Sequence, residues 1–154
     1  MTEPVLAPAA LVLTQVAAPE GLAAACAMSK VDVDSVPTEI GAVAVCRSLE
    51  PGGPERAAEV ISGLLRNTPV VLLTHRDGQM TATRWAEGRP GDAVSPLLML
   101  DGAPAVVEEL LLGQTGAADV PGMVSSVGMS RWQATRILAS AARSARRRPG
   151  RPGE

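Results

Sequence analysis

A chain of 154 residues suits one domain with a small appended segment, and 46% apolar with 19% charged residues excludes an intrinsically disordered chain. Because Phe and Tyr are absent and only two Trp occur, the predicted core consists of Ala, Val, Leu, Ile and Met. The formal net charge of −2 by itself gives no reason to expect a nucleic-acid partner.

The N-terminal sequence has no Lys or Arg before Lys30, so it lacks the basic start of a signal peptide. No apolar run reaches the roughly 18 residues of a membrane span. Cys26 and Cys46 are the only cysteines, and they fit neither a metal-ligand spacing nor a disulfide framework. The sequence therefore predicts a cytoplasmic protein with two buried, reduced thiols and no membrane partner.

The first half of the chain alternates between strand and helix patterns. Residues 10–17 (ALVLTQVA) and 38–49 (TEIGAVAVCRSL) read as strands, the latter rich in β-branched and small residues. Residues 19–30 contain good helix formers. Residues 54–68 begin with Pro and repeat apolar side chains at helical spacing, which predicts a second helix.

A β-hairpin follows at PVVLLTHRDGQMTATRW, where Asp77 and Gly78 supply the positive φ angles of a type I′ turn. Residues 95–102 (SPLLMLDG) are predicted to extend the sheet, and residues 103–113 to form a helix closed by Gly113. This order indicates an α+β fold with a mainly antiparallel sheet, flanking helices and a helical C-terminal segment.

Gly and Pro punctuate residues 114–122, which makes this stretch the predicted boundary between segments. The resulting organisation is an α+β domain over 1–113, a helix-turn-helix segment over 114–148 and a disordered basic tail over 149–154.

Catalytic motifs are missing from the sequence. His75 is the only histidine and is expected to be a solvated residue near the hairpin turn. Asp32 and Asp34 in VDVDS lack the further acids and the glycine of a calcium loop. There is no glycine-rich phosphate loop and no nucleophile elbow. We therefore expect a protein that is not an enzyme and that uses no cofactor and no metal.

The stretch DVPGMVSSVGMSRWQATRIL, residues 119–138, has the parts of a helix-turn-helix. A first helix over 120–127 would be followed by a turn at Gly128. Ser130 would then cap a second helix, with Gln133 completing a capping box. The predicted DNA-binding residues are the cap Ser130, the outward-facing Arg131, Trp132, Gln133, Thr135 and Arg136, and the more C-terminal Arg143, Arg146, Arg147 and Arg148.

With PAVVEELLLG as a supporting helix, residues 104–138 resemble the helix-turn-helix regulators of the IclR and MarR type, most closely in GMSRWQATRIL. The resemblance implies contacts to duplex DNA from Arg131, Gln133 and Arg136, and a homodimer would be in keeping with this class. An ordinary helical hairpin ending in a solvated charge cluster explains the same periodicity.

The distribution of charge favours an anionic partner for the C-terminus. Residues 131–154 carry seven Arg and one acid, a net +6, whereas residues 1–130 carry seven basic and fifteen acidic side chains, a net −8. The alternative is that these cations only complement the dipole at a helix C-terminus. In the tail, Gly150-Arg151-Pro152 resembles the core of an AT-hook, although Pro149 replaces the expected preceding Arg.

A protein-binding adaptor is the competing prediction. The order of helix, hairpin, leucine-rich segment and basic helix loosely resembles the middle of EspG-type chaperones of type VII secretion. That resemblance implies a protein partner contacted through the sheet face and Trp132, since an exposed aromatic side chain is a common interface anchor.

Overall fold

The computed structural model describes residues 8–147, which form seven β-strands and five α-helices. The strands are β1 (Ala9–Leu13), β2 (Val33–Val36), β3 (Val43–Cys46), β4 (Val70–Arg76), β5 (Gln79–Ala86), β6 (Arg89–Val94) and β7 (Val124–Ser125). The helices are α1 (Pro19–Met28), α2 (Gly53–Leu64), α3 (Pro96–Asp101), α4 (Ala105–Leu111) and α5 (Arg131–Arg147). A short 3₁₀-helix spans Ala117–Asp119.

The seven strands form one sheet in the order β6-β5-β4-β1-β3-β2-β7, and every neighbouring pair is antiparallel. The predicted α+β fold with a mainly antiparallel sheet is therefore confirmed. Strand β1 lies near the centre, between β3 and β4, and β6 and β7 form the edges.

Helices cover both faces of the central strands, because alternate residues of each strand point to opposite sides. Val12 of β1 packs with Leu22 of α1 and Ile61 of α2 on one face. On the other face Leu11 packs with Leu111 of α4. The buried hydrophobic residues are mostly Ala, Val and Leu, with Trp85 as the buried aromatic side chain, so the predicted small-aliphatic core is confirmed.

The hairpin between β4 and β5 has the predicted turn. Arg76 pairs with Gln79, so Asp77 and Gly78 are the two turn residues. Their φ angles are 53° and 78°, both in the left-handed region that a type I′ turn requires. This element was predictable because the turn signal and both strands are contiguous in sequence.

Replacing Gly78 with valine is expected to lower the free energy of unfolding by about 1 kcal/mol or more, because a β-branched residue is strained at positive φ. An added Cβ at Gly78 would meet no atom within 4 Å, so the loss would report on backbone conformation alone. Urea unfolding of the two proteins measures it. An unchanged midpoint would contradict a positive φ at this position.

The prediction of a strand over residues 95–102 is wrong, since Pro96–Asp101 forms helix α3. The Ser95 hydroxyl accepts a hydrogen bond from the Leu98 amide at 3.3 Å, and Pro96 occupies the first helical turn, which are both helix-start signals. The strand that extends the sheet is instead β6, in which Pro90 pairs with Trp85. Pro is tolerated there because β6 is an edge strand.

The strand predicted over 38–49 is shorter, and the strand before it was not predicted. Only Val43–Cys46 forms β3, and β2 overlaps the VDVDS stretch, whose two acids were compared with a calcium loop in the sequence analysis. One of those acids has a structural partner, because Arg47 Nε lies 3.0 Å from Asp34 Oδ1. The Asp34 carboxylate is thereby used in an ion pair.

Candidate functional site

Helix α5 begins at the predicted residue and with the predicted cap. The Ser130 hydroxyl accepts a hydrogen bond from the Gln133 amide at 3.0 Å, and the Gln133 side-chain oxygen accepts one from the Ser130 amide at 2.9 Å. Gly128, just before the cap, has a φ of 82°. The capping box and the turn glycine are therefore confirmed, and they fix where α5 starts.

The first helix predicted over residues 120–127 is wrong. Val124 and Ser125 form strand β7, which pairs with Ser35 and Asp34 of β2. The next residue secures this pairing, because the Ser126 hydroxyl accepts from the Val33 amide at 2.9 Å and donates to the Val31 carbonyl at 2.8 Å. Pro121 and Gly122 already disfavour a helix here, so pairing with β2 satisfies the backbone instead.

The helix that supports α5 also differs from the predicted one. Residues 103–113 contain α4, as predicted, and Gly113 follows it with a φ of 75°. However, α4 belongs to one face of the sheet, whereas α5 packs against α1 on the other. Ala134 makes that contact with no exposed surface, and Ile137 and Leu138 are half-buried. A narrow apolar stripe of α5 therefore attaches the helix to the surface of the molecule.

Most of the predicted site residues share an exposed position on α5 or its cap. The exposed ones are Ser130, Arg131, Trp132, Gln133, Thr135, Arg136 and Arg143. Arg146 and Arg147 belong to the last turn of α5, and their side chains, like the whole of Arg148, lie outside the part of the chain that the structure describes. The tail over 149–154 lies outside it as well.

A basic stripe, defined here by Trp132, Arg136 and Arg143, runs along α5 opposite the packed side. These residues lie at positions i, i+4 and i+11, which share one face of a helix. Arg136 follows Ala134 by two residues, a rotation of roughly 200° about the helix axis. Helix α5 contains five Arg and no Asp or Glu. No acid of the same helix therefore neutralises the positive charge of the stripe, which faces solvent.

Trp132 and Arg136 interact within this stripe. The Arg136 guanidinium carbon lies 4.6 Å from the centroid of the Trp132 ring, a cation–π distance. The ring nevertheless remains 67% exposed. The contact holds the two side chains together on the outer face of α5, so a flat aromatic surface and a charge are presented side by side.

The two cysteines and the histidine singled out by the sequence are buried. Burial raises the pKa of the Cys26 thiol to about 12, and burial also raises the pKa of Cys46 to about 12. His75 is only 5% exposed, so its prediction as a solvated turn residue is wrong. In the sheet, His75 of β4 lies between Ala9 of β1 and Met80 of β5. Its Nδ1 has no hydrogen-bond partner among the described residues. Within residues 8–147, no three His, Cys, Asp or Glu side chains are placed to share a metal ion.

The sheet face predicted as a protein contact is covered over the central strands. α1 and α2 pack on one side of it, and α3 and α4 pack on the other. The prediction that this face contacts a partner is therefore wrong for those strands. Trp132, the other part of the predicted contact, is exposed.

Comparison with known proteins found no matching family model, no matching curated protein and no matching solved structure. None of the helices between residues 8 and 147 combines the length and apolar character needed to cross a membrane.

Proposed function

We propose that this protein is a DNA-binding regulatory protein that contacts duplex DNA through the basic stripe of α5. The observation that carries the proposal is that Arg136 and Arg143 are exposed on the side of α5 turned away from its packing surface. A helix held on the molecule by one side can offer its opposite side to a large partner without unfolding.

The dimensions and chemistry of α5 suit the major groove. An α-helix with its side chains is about 10–12 Å wide, close to the roughly 12 Å width of the groove in B-form DNA. Arginine can donate two hydrogen bonds to guanine or pair with phosphates, and glutamine can pair with adenine. Arg136 and Arg143, on the basic stripe, are the proposed DNA contacts. By contrast, Gln133 is engaged in the capping box, and Arg131 lies on the same side of α5 as the packed Ala134.

The proposal uses α5 alone, without the first helix of a helix-turn-helix. Strand β7 takes the place of that helix and anchors the chain to β2 just before α5. The capping box then fixes the direction in which α5 leaves the sheet. A rigid entry of this kind supports DNA contact because the helix backbone that bears the arginines does not have to be ordered on binding.

Salt dependence tests the proposal. Arg136→Ala and Arg143→Ala are each expected to lower the affinity for duplex DNA about tenfold at low salt, and to reduce the slope of log K against log salt by about 0.9, because each removes one phosphate contact. The matched control is Arg89→Ala, an exposed arginine on the edge strand β6, which should leave binding unchanged. Titration of a labelled duplex at several salt concentrations provides both quantities. Full-length protein that shows no salt-sensitive retention of DNA would overturn the proposal.

A protein-binding adaptor is the second candidate, favoured by the 67% exposure of Trp132. Trp is among the residues most enriched at the energetic centres of protein interfaces. Trp132→Ala separates the two candidates. It should leave the salt slope of DNA binding intact, since it removes no charge, and it should abolish capture of a protein partner that uses this ring.

A further inference from the structure

The two tryptophans of the chain lie in contrasting environments. Trp85 of β5 is buried in the core beneath α1 and α2. Trp132, in the first turn of α5, keeps most of its large aromatic surface exposed. An indole in this position gains free energy when a partner covers it, because apolar surface is then removed from water.

Arg136 covers one face of the Trp132 ring. Its guanidinium carbon stands over the ring, 4.6 Å from the centroid. Because the residue is nevertheless largely exposed, the opposite face of the ring is open to solvent. A flat aromatic group that stacks on the open face would leave the indole between itself and the guanidinium. The contact with Arg136 also orders the ring in advance, which lowers the entropic cost of binding.

A shallow depression of about 510 Å³ lies along α5 beside this ring. Trp132 precedes it in sequence and lies within roughly 40° of Arg136 around the helix axis, since four residues rotate by roughly 400°. The residues that line the depression all belong to α5: Gln133, Arg136, Ile137, Ala139, Ser140 and Arg143. Among the side chains that the structure describes, no carboxylate lies within 4.0 Å of either lining guanidinium. The surface therefore joins an open aromatic face to two cations that have no close counter-charge.

Unpaired nucleotides provide both of the groups that suit this surface. Each nucleotide carries a phosphate for an arginine and a base whose π-face can stack on an indole, and proteins hold single strands by this combination. Within a duplex, the faces of the bases are stacked on one another and are not accessible to Trp132. Contact with duplex phosphates alone would therefore leave the exposed ring without a role.

We propose that Trp132 stacks on an unpaired base of the nucleic acid while Arg136 and Arg143 contact neighbouring phosphates, so that the preferred partner contains a single-stranded stretch. This inference rests on the proposed function, because it specifies the form of nucleic acid that the same stripe binds. Trp132 is then the residue that distinguishes unpaired from paired bases, whereas the two arginines contribute to binding of both forms.

The test compares a labelled blunt duplex with the same duplex carrying a single-stranded thymidine overhang, by fluorescence anisotropy at one salt concentration. The full-length protein should bind the overhang duplex about tenfold more tightly, which is the size of effect that one stacked base produces. Trp132→Ala should remove this preference. Arg143→Ala is the matched control, since it should weaken binding of both duplexes alike and preserve their ratio. Both side chains are exposed, so neither change removes a core residue.

Two conservative variants separate stacking from a general apolar contact. Trp132→Phe keeps an aromatic face and should retain most of the preference, whereas Trp132→Leu keeps apolar bulk alone and should lose it. Intrinsic fluorescence gives a second readout. The overhang duplex should quench the emission of the wild-type protein but not that of Trp132→Phe, whose remaining indole is the buried Trp85.

The outcomes distinguish this inference from the proposed function. Salt-sensitive binding of both duplexes with equal affinity would overturn the inference and leave the proposed function intact. A preference for the overhang that persists in Trp132→Ala or in Trp132→Leu would overturn the inference as well. Retention of neither duplex would overturn both proposals, and a protein partner would then account for the exposed ring.

Discussion

Replacing Gly41 with alanine is expected to lower the free energy of unfolding by about 3 kcal/mol or more, since it combines backbone strain with a steric clash. Gly41 has a φ of 135°, in the region that residues with a side chain rarely adopt. A Cβ built there would lie 2.3 Å from the Thr14 carbonyl oxygen and 2.7 Å from the Gln15 Cα. Both are backbone atoms of the two residues just after β1, so they cannot move aside as a flexible side chain would.

The position matters because the loop at Gly41 leads into β3, which pairs with the central strand β1. The Ala42 amide donates to the Val16 carbonyl at 2.7 Å, and the Ala42 carbonyl accepts from the Thr14 hydroxyl at 2.7 Å. Pushing Gly41 away from β1 would lengthen both hydrogen bonds at the entry to β3. The clash therefore acts on the strand pairing that holds the central sheet together.

Gly78→Ala is the matched control for Gly41→Ala. Gly78 also has a positive φ, but its Cβ would meet nothing within 4 Å, so we expect a loss of only about 1 kcal/mol from conformation. Urea unfolding of the three proteins gives the comparison. Equal losses in the two variants would mean that the close approach of Gly41 to β1 does not exist in solution.

The elements that could be predicted from the sequence are those whose signals are local. The hairpin at Asp77 and Gly78, helix α2 and the cap of α5 each depend on residues within a few positions of one another. In the capping box, for example, Ser130 and Gln133 are three residues apart, and their two hydrogen bonds form as soon as the first turn does.

The elements that could not be predicted depend on distant partners. Strand β6 contains Pro90 and Gly91, which have low strand propensity, and it forms because β5 offers a pairing edge. Strand β7 forms because β2 lies beside it, although Ser126 and Val33 are 93 residues apart in sequence. Single-sequence propensity contains no term for such pairing.

The candidate site divides in the same way. The exposure of Arg136 and Arg143 could be predicted, because the apolar residues of α5 recur at helical spacing and indicate which side of the helix is packed. An apolar groove lined by residues of α1, α2 and α5 could not be foreseen, because its walls come from separate elements and Leu64 reads as a core residue of α2. In the structure Leu64 is instead 53% exposed.

Ser126→Ala is expected to lower the free energy of unfolding by roughly 2 to 4 kcal/mol, because it leaves two buried backbone groups without this partner. The Ser126 hydroxyl accepts from the Val33 amide at 2.9 Å and donates to the Val31 carbonyl at 2.8 Å. Val33 is fully buried and Ser126 nearly so, which keeps water from replacing the lost bonds. The loss falls on the contact that ties β7, and hence the start of α5, to the sheet.

Ser125→Ala is the neighbouring control. Its hydroxyl accepts only a local hydrogen bond from the Val127 amide at 3.1 Å, so its removal should lower stability by about 1 kcal/mol or less. The sign of the Ser126→Ala effect also separates the two structures for residues 120–127. In a helix, alanine is favoured over serine by roughly a few tenths of a kcal/mol, so the variant would be slightly stabilised. Denaturant unfolding decides between them: a stabilised Ser126→Ala protein would restore the helix that the sequence predicted, and a destabilised one supports the strand.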